Sequence, residues 1–333
     1  MGRRTVIRQW AAALGLVPAL VLPVSAAAAP APTPALVTML EGDASVLRDT
    51  GRFAAAEGLR LRADDIVVTG TATRLVRIEL DDGKTLDLGP STQLMLLPHP
   101  LARDGAAPTA YVLQGWVKLT APAKSATPAL LATPRIEAAH IAGTLIASVA
   151  ADQLWLFAES GGVDLQRRRD GKAAPPQTLR DGDSFVLPAG GPGSVSRMPP
   201  AELRAQVPRA FVDTLPRRAE RFAGRNVEPA KPVEVAYADI AAWVNGEAAL
   251  RAAFVQRLTP RSRDNGFRNA LVAEMKLHPE WQPVLFPPPP KKPPQPRPLP
   301  PAPGEPATAT ATATAAAPET EAEAATAAGP GSH

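Results

Sequence analysis

The stretch Leu75-Val76-Arg77-Ile78-Glu79-Leu80-Asp81-Asp82-Gly83-Lys84-Thr85-Leu86-Asp87-Leu88 decides the fold class. Its first arm is aliphatic and β-branched and partly alternates apolar with charged residues, the pattern of a strand with one face on a core. Asp81-Asp82-Gly83 is a tight-turn sequence, because glycine adopts the positive φ that such turns require. Residues 85–88 return as the partner strand, so the stretch predicts a β-hairpin.

Outward from this hairpin the same signals recur. Residues 111–120 alternate, with Val112, Trp116 and Val117 as core candidates. Two apolar runs, 144–149 and 153–157, flank a short Ala150-Ala151-Asp152 break, and residues 162–166 alternate again. Asp104-Gly105, Asp170-Gly171 and Asp181-Gly182-Asp183 punctuate the runs as turns. Short strands so spaced predict an all-β sandwich or barrel-like domain over residues 36–188. Within it, Gly42…Asp65 is echoed by Gly161…Asp183, the aspartate following the glycine by 23 residues in one copy and 22 in the other. Two similar hairpins account for the echo better than a repeat array, which needs about three copies.

Gly58-Leu59-Arg60-Leu61-Arg62-Ala63-Asp64-Asp65-Ile66-Val67-Val68-Thr69-Gly70 resembles the Gly-Asp-x-Ile-x-Thr-Gly segment of the FecR family. The quoted hairpin, extended through Gly89-Pro90-Ser91-Thr92, follows, and Gly115-Trp116-Val117-Lys118-Leu119, Thr133-Pro134 and Gly143-Thr144 keep the family's order. The chain departs from the pattern at Asp64, where the family commonly has Gly, and at Ala142, where it commonly has Arg. The resemblance implies a periplasmic β-domain linked to sensing and protein contact in iron–siderophore signalling. Full-length family sensors carry a cytoplasmic anti-sigma segment and a membrane span ahead of this domain. Here the expectation is a signal peptide alone, which would leave no part of the mature chain to reach a sigma factor.

That signal peptide is read over residues 1–28. Arg3, Arg4 and Arg8 form a positive start, residues 11–24 are apolar, and 25–29 are small and suited to cleavage. The alternative, a retained anchor, is disfavoured because the apolar run is about 14 residues against the roughly 20 that cross a bilayer. The paired arginines resemble a twin-arginine signal, but the aromatic residue is missing, so general secretion to the periplasm is the expected route. No other run is long enough to span a membrane. Of the net charge of +4, the three leading arginines supply three units, and the remaining basic residues are scattered, which argues against nucleic-acid binding. The chain contains no cysteine, which excludes disulfides, a thiolate nucleophile, cysteine zinc ligation and a lipidated N-terminal cysteine.

Beyond the β-domain, prolines at 199, 200, 208, 216, 229 and 232 make residues 189–234 a connector that packs locally, with helical turns at 201–206 and 217–222. In residues 235–286, Ile240, Trp243, Val244, Leu250, Phe254 and Leu258 recur at helical spacing, as do Phe267, Leu271, Met275 and Leu277 after Pro260. This predicts a small helical hairpin, capped by Asp239, with Trp281, Leu285 and Phe286 folding back on its core. Arg251, Arg257, Arg261, Arg263 and Arg268 read as a solvated face, with an anionic docking surface as the alternative. Residues 287–333 are proline-rich and then Ala/Thr/Glu-rich, a disordered tail or an extended spacer.

The search for chemistry returns no catalytic, cofactor-binding or metal-ligating residue. His99, His140, His278 and His333 lack ligand spacing, and His140 reads as a satisfied sheet residue. Gly-x-Ser-x-Gly is absent, and Gly190-Gly191-Pro192-Gly193-Ser194 lacks a phosphate loop's Lys-Ser/Thr. Asp64-Asp65 and Asp81-Asp82 read as turn residues, and Asp181-Gly182-Asp183 lacks the other ligands of a calcium loop. The expectation is a non-enzymatic, cofactor-free periplasmic binding or scaffold module, or a signalling accessory, whose partner is another envelope protein. The alternative is a peptidoglycan- or glycan-binding envelope protein, less readily a hydrolase, although aromatics are only 5% of the chain and Trp116 and Trp155 read as core.

Overall fold

The quoted hairpin folds as expected: Leu75–Leu80 pairs antiparallel with Thr85–Leu88, with Glu79 opposite Thr85. Gly83, at φ +90°, donates its N–H to Leu80 O, and Asp82 Oδ1 accepts the Lys84 N–H at 3.2 Å. A computed structural model describes residues 35–288 apart from 124, 126, 169–175 and 226. The expected signal peptide, nearly all of the tail, Asp170-Gly171 and His333 therefore lie outside the described residues.

The fold is mainly β. The first sheet runs Arg60–Leu61, Ala35–Glu41, Leu75–Leu80, Thr85–Leu88, Ala110–Ala121, Gly143–Val149, Gln153–Ser160, Ser184–Pro188 and Ser194–Ser196, all neighbours antiparallel. The second runs Val233–Glu234, Gly51–Ala54, Ala44–Arg48, Ile66–Thr69, Gln93–Leu96, the same Ala110–Ala121, Ala129–Ala132, Ile136–Ile141, Val163–Arg167 and Gln177–Leu179. Its pairings are antiparallel except where Leu131 and Ala132 run beside Ala110 and Tyr111.

One strand thus serves both sheets, a corner device of sandwiches. It changes sheet at Gly115, whose φ is +98° and whose missing Cβ would lie 2.4 Å from Thr92 Cα. The Thr92 hydroxyl fastens the bend by accepting the Trp116 N–H at 3.0 Å. Between the sheets one core gathers Val37, Ile78, Leu86, Leu119, Leu145 and Leu156 against Val46, Val67, Leu94, Val112, Leu131 and Leu165.

The outer faces are covered too, which alternation alone does not foretell. In Leu75–Leu80 all six residues are buried: Val76, Ile78 and Leu80 point into the core, while Leu75, Arg77 and Glu79 lie on the outer face. The proline-interrupted segment crosses that face, correcting the expectation that it packs only locally. Leu203, Val207, Phe211 and Leu215 meet Met39, Leu75, Ile146 and Trp155. The helical turn at Ala201–Gln206 forms as expected, and the second is shorter, Ala219–Phe222.

Residues 235–286 cover the second sheet. The expected two-helix hairpin is instead three longer α-helices, Tyr237–Val244, Ala248–Leu258 and Asn265–Ala273, with a short fourth, Gln282–Leu285, because Asn245-Gly246-Glu247 interrupts the first run. Asp239 caps the first helix by accepting the Ala236 N–H at 2.9 Å. Ile240, Trp243, Leu250, Phe254, Phe267, Leu271, Trp281 and Leu285 share a core with Leu47, Ile66, Met95 and Tyr111 of the sheet. The expected small core is therefore shared with the β-domain. Trp281 and Leu285 fold back and are buried, whereas Phe286 is exposed. No helix among the described residues is long and apolar enough to cross a membrane.

Candidate functional site

The arginines expected to form a solvated face are mostly anchors. Arg257 donates to the carbonyls of Leu47 at 2.8 Å, Asp49 at 2.9 Å and Asp64 at 3.0 Å, tying helix Ala248–Leu258 to the turns of the second sheet. Burial pushes its guanidinium below the ordinary arginine value, with Asp49, Asp65 and Asp64 opposing. Arg251 pairs with Glu280 at 2.8 Å, Arg261 bonds Glu234 and the Val235 carbonyl, and Arg268 bonds the Leu285 carbonyl. Arg263 alone of the five is exposed. A guanidinium with five N–H donors suits this use, because helix ends and strand turns leave carbonyls to satisfy.

Between that helix and the turn at residues 62–65 lies a cleft of about 740 Å³ lined by Arg48, Arg62, Asp64, His99, Phe254 and Arg257 among others. Arg48 grips Asp65 with two bonds, Nε to Oδ1 at 2.9 Å and Nη2 to Oδ2 at 2.6 Å. That bond, against the opposing effect of burial, raises the Arg48 pKa. Asp64 Oδ1 accepts the His99 N–H at 2.8 Å and Oδ2 lies 2.9 Å from His99 Nδ1. A His–Asp pair calls catalysis to mind, but none of the lining residues is a Ser, Thr, Cys, Lys or Tyr. Arg62 is exposed on the rim, so the cleft offers recognition of a polar group beside an apolar helix face.

The aspartate pairs are turn residues, as read. Asp65 accepts the Arg62 N–H at 2.7 Å and Asp183 accepts the Arg180 N–H at 2.9 Å, each burying a carboxylate in its own turn. The sequence echo is thus two like turns. Residue 64 has φ +64° and Gly182 has φ +79°, so the departure at Asp64 falls where a left-handed residue is required. Aspartate tolerates that region better than most side chains, and its bonds to His99 offset the strain. Asp82 bonds Lys84 within its own turn and accepts from the distant Thr127 hydroxyl.

The histidines do not converge. His140 departs from the expected satisfied sheet residue: it stands at φ +52°, its side chain is 70% exposed, and Nδ1 lies 3.0 Å from Asp164 Oδ2. The Thr178 hydroxyl, then His140, holds the Asp164 carboxyl below the usual range. His278 is wholly buried. Among the described residues no group of three or more His, Asp or Glu could hold a metal.

Two features escaped the sequence reading. Glu79 is completely buried under the connector, accepting N–H bonds from Arg218 at 2.7 Å and Ala219 at 3.3 Å and from Arg217 Nε at 3.2 Å. Burial pushes its carboxyl up, but the Arg218 N–H, followed by the other donors, outweighs that and holds it below the usual range. Nearby, Arg77 grips Asp87 with bonds of 2.6 and 2.8 Å and donates to Leu215 O at 2.8 Å, and Lys118 donates to Phe211 O at 2.5 Å. The only sequence signal was the charge at every second position of the outer face.

No family model matches the chain, and no curated protein does. Its structural neighbours include two crystal structures of a candidate anti-sigma factor from Parabacteroides distasonis ATCC 8503. They are 12% and 10% identical, with TM-scores of 0.33 and 0.34. Each match covers 42% of this chain and 62% or 63% of the neighbour, so the chain spans less than two thirds of either neighbour's length. No residue role is carried over from them.

Proposed function

We propose that the chain is a non-enzymatic, exported module of the cell envelope, FecR-like in its β-domain, that binds another envelope protein by strand addition at a sheet edge. The observation that carries this reading is the edge Ser194–Ser196. All three residues are exposed, the strand pairs on one side with Ser184–Val186, and no strand pairs its other side among the described residues. Val195 within it is 40% exposed and Met198, just beyond it, 70%. Edges of this kind accept an incoming extended segment through main-chain bonds. Of the other edges, Arg60–Leu61 lies beside the bridge from Leu59 to Val227, Val233–Glu234 is only two residues long, and Gln177–Leu179 buries Leu179. The ordered FecR-like motifs supply the turns of this sandwich, which supports the same reading. Glycan binding favours exposed aromatic platforms; among the described residues Trp155, Trp243 and Trp281 are buried, Trp116 is half-buried, and Phe286 stands exposed.

The test is site-specific photo-crosslinking in the native periplasm from position 195, with position 263 as an exposed control on the helical cover. Capture of one envelope protein from 195 and not from 263, lost in Ser196→Pro and retained when residues 287–333 are deleted, is expected. Equal capture from both positions, or a tail fragment that retains full partner affinity while the folded part retains none, overturns the reading.

A further inference from the structure

The helical cover of the second sheet has an unusual centre. His278 has zero exposed surface, and neither Nδ1 nor Nε2 has a hydrogen-bond partner among the described residues. Trp243 Nε1, Trp281 Nε1 and the Asn245 Oδ1 in the same cover are buried without partners as well. Buried polar groups are ordinarily paired, and five of the ten side-chain atoms left unpaired among the described residues gather in this one small helical unit. The charged and titratable groups around His278 come from every element that packs on it. Tyr237 of the first helix lies 6.3 Å away ring to ring, and its hydroxyl bonds Glu274 at 2.7 Å, as does Asn245 Nδ2. Arg251 of the second helix is paired to Glu280, which follows His278 by two residues. Both carboxylates are already engaged, and Arg251 repels a second cation.

We propose that the helical cover is a pH-sensitive lid: a proton on His278 loosens it and uncovers the apolar outer face of the second sheet, Leu47, Ile66, Met95 and Tyr111. An imidazolium has two N–H donors and a charge, and the two carboxylates near it, Glu274 and Glu280, are already engaged. The first consequence of burial is that the ring's pKa is pushed down, with Glu280 and Glu274 opposing and Arg251 reinforcing. The sign follows. Above the unfolded histidine value near 6.5 the lid is at full stability. As the pH falls below it, the open state takes up a proton that the closed state refuses, so opening becomes favoured. For one histidine the ceiling at pH 5.0 is about 30-fold in the opening equilibrium. The inference stands apart from the sheet-edge reading, since it concerns the opposite sheet.

Hydrogen exchange of the full chain, corrected for intrinsic rate, tests it at pH 7.5 and 5.0. The expected result is a loss of protection of roughly tenfold or more, within that ceiling, over residues 240–258 and 267–285. Strands Ala44–Arg48 and Ile66–Thr69 beneath should follow, while the core hairpin at Leu75–Leu80 stays protected. His278→Phe should abolish the acid effect. The same acid opening in His278→Phe, or none in the wild type, overturns the proposal. Should that variant not fold, imidazole NMR of the wild type decides: titration of His278 near 6.5 in the closed protein refutes the lid, and a clearly lower value upholds it.

Discussion

Replacing Glu79 by Gln should free the connector from the first sheet. The substitution keeps the side chain's size, so packing is not the variable. What changes is the acceptor set. Oε1 takes the Arg218 N–H, while Oε2 takes both the Ala219 N–H and Arg217 Nε. Gln retains one acceptor oxygen, loses the charge, and turns its other end into a donor facing donors. Bonds to a charged group contribute about 1.5–3 kcal/mol each, but burying that charge costs part of it back. A net loss of about 2 kcal/mol, or about 30-fold in local opening, is the expected size. The Arg217–Arg218 peptide bond is the reporter, because its N–H is the one Glu79 holds. Trypsin should cut there about 30-fold faster in the variant under conditions where opening is in fast equilibrium. The wild type should show a related acid sensitivity. Its carboxyl sits below the usual range, so its contribution is complete above the unfolded value of about 4.5 and fades as the pH falls through the folded one. Equal cleavage rates in variant and wild type, with equal denaturation midpoints, would refute the reasoning.

Gly115→Ala should cost more than about 3 kcal/mol, because the strand changes sheet at φ +98° and the new Cβ would fall against the Thr92 backbone; a urea midpoint that does not move counts against the shared-strand corner. Gly83→Val should cost about 1–3 kcal/mol by the same denaturation assay, its φ of +90° being the reason and the Pro122 ring 3.1 Å from the added Cβ an aggravation. Arg257→Met keeps the stem and removes three bonds to turn carbonyls, so hydrogen exchange should show the helical cover loosened by about 2–3 kcal/mol with the sandwich core unchanged. Loosening of both together would mean that cover and sandwich unfold as one.

The β-fold was legible because its signals are local: a tight turn needs Gly83 and a strand needs alternation. Val112 and Val117, an odd five positions apart, share the core only because the strand changes sheet between them at Gly115. What alternation cannot state is whether the other face meets water. Arg77, Glu79 and Lys118 look like solvated positions until segments more than 90 residues later come to rest on them. Besides a charged side-chain partner, Asp87, Arg217 and Glu159 respectively, each bonds a backbone group, of Leu215, Arg218 and Phe211, and a backbone group leaves no mark in the sequence of its partner. The arginines were misread for the same reason. Arg257 is i+3 from Phe254 and so shares the buried helix face, a spacing visible in advance; that carbonyls of residues 47, 49 and 64 would wait there was not.

The candidate surface follows from this covering. A sandwich that buries both outer faces under its own chain has little left to offer but its edges and turn ends. Of the edges, Ser194–Ser196 stands where the first sheet ends and the connector begins. Within those three residues there is neither the Lys nor the Pro that commonly blunts an edge, although Arg197 follows directly. The turn ends behave differently. Arg48, Asp65, Asp64 and His99 satisfy one another across the cleft, so a ligand there must compete with bonds already made. An added strand displaces no other strand among the described residues. This difference in what must be displaced, rather than any residue type, is why the edge is the better candidate for the partner.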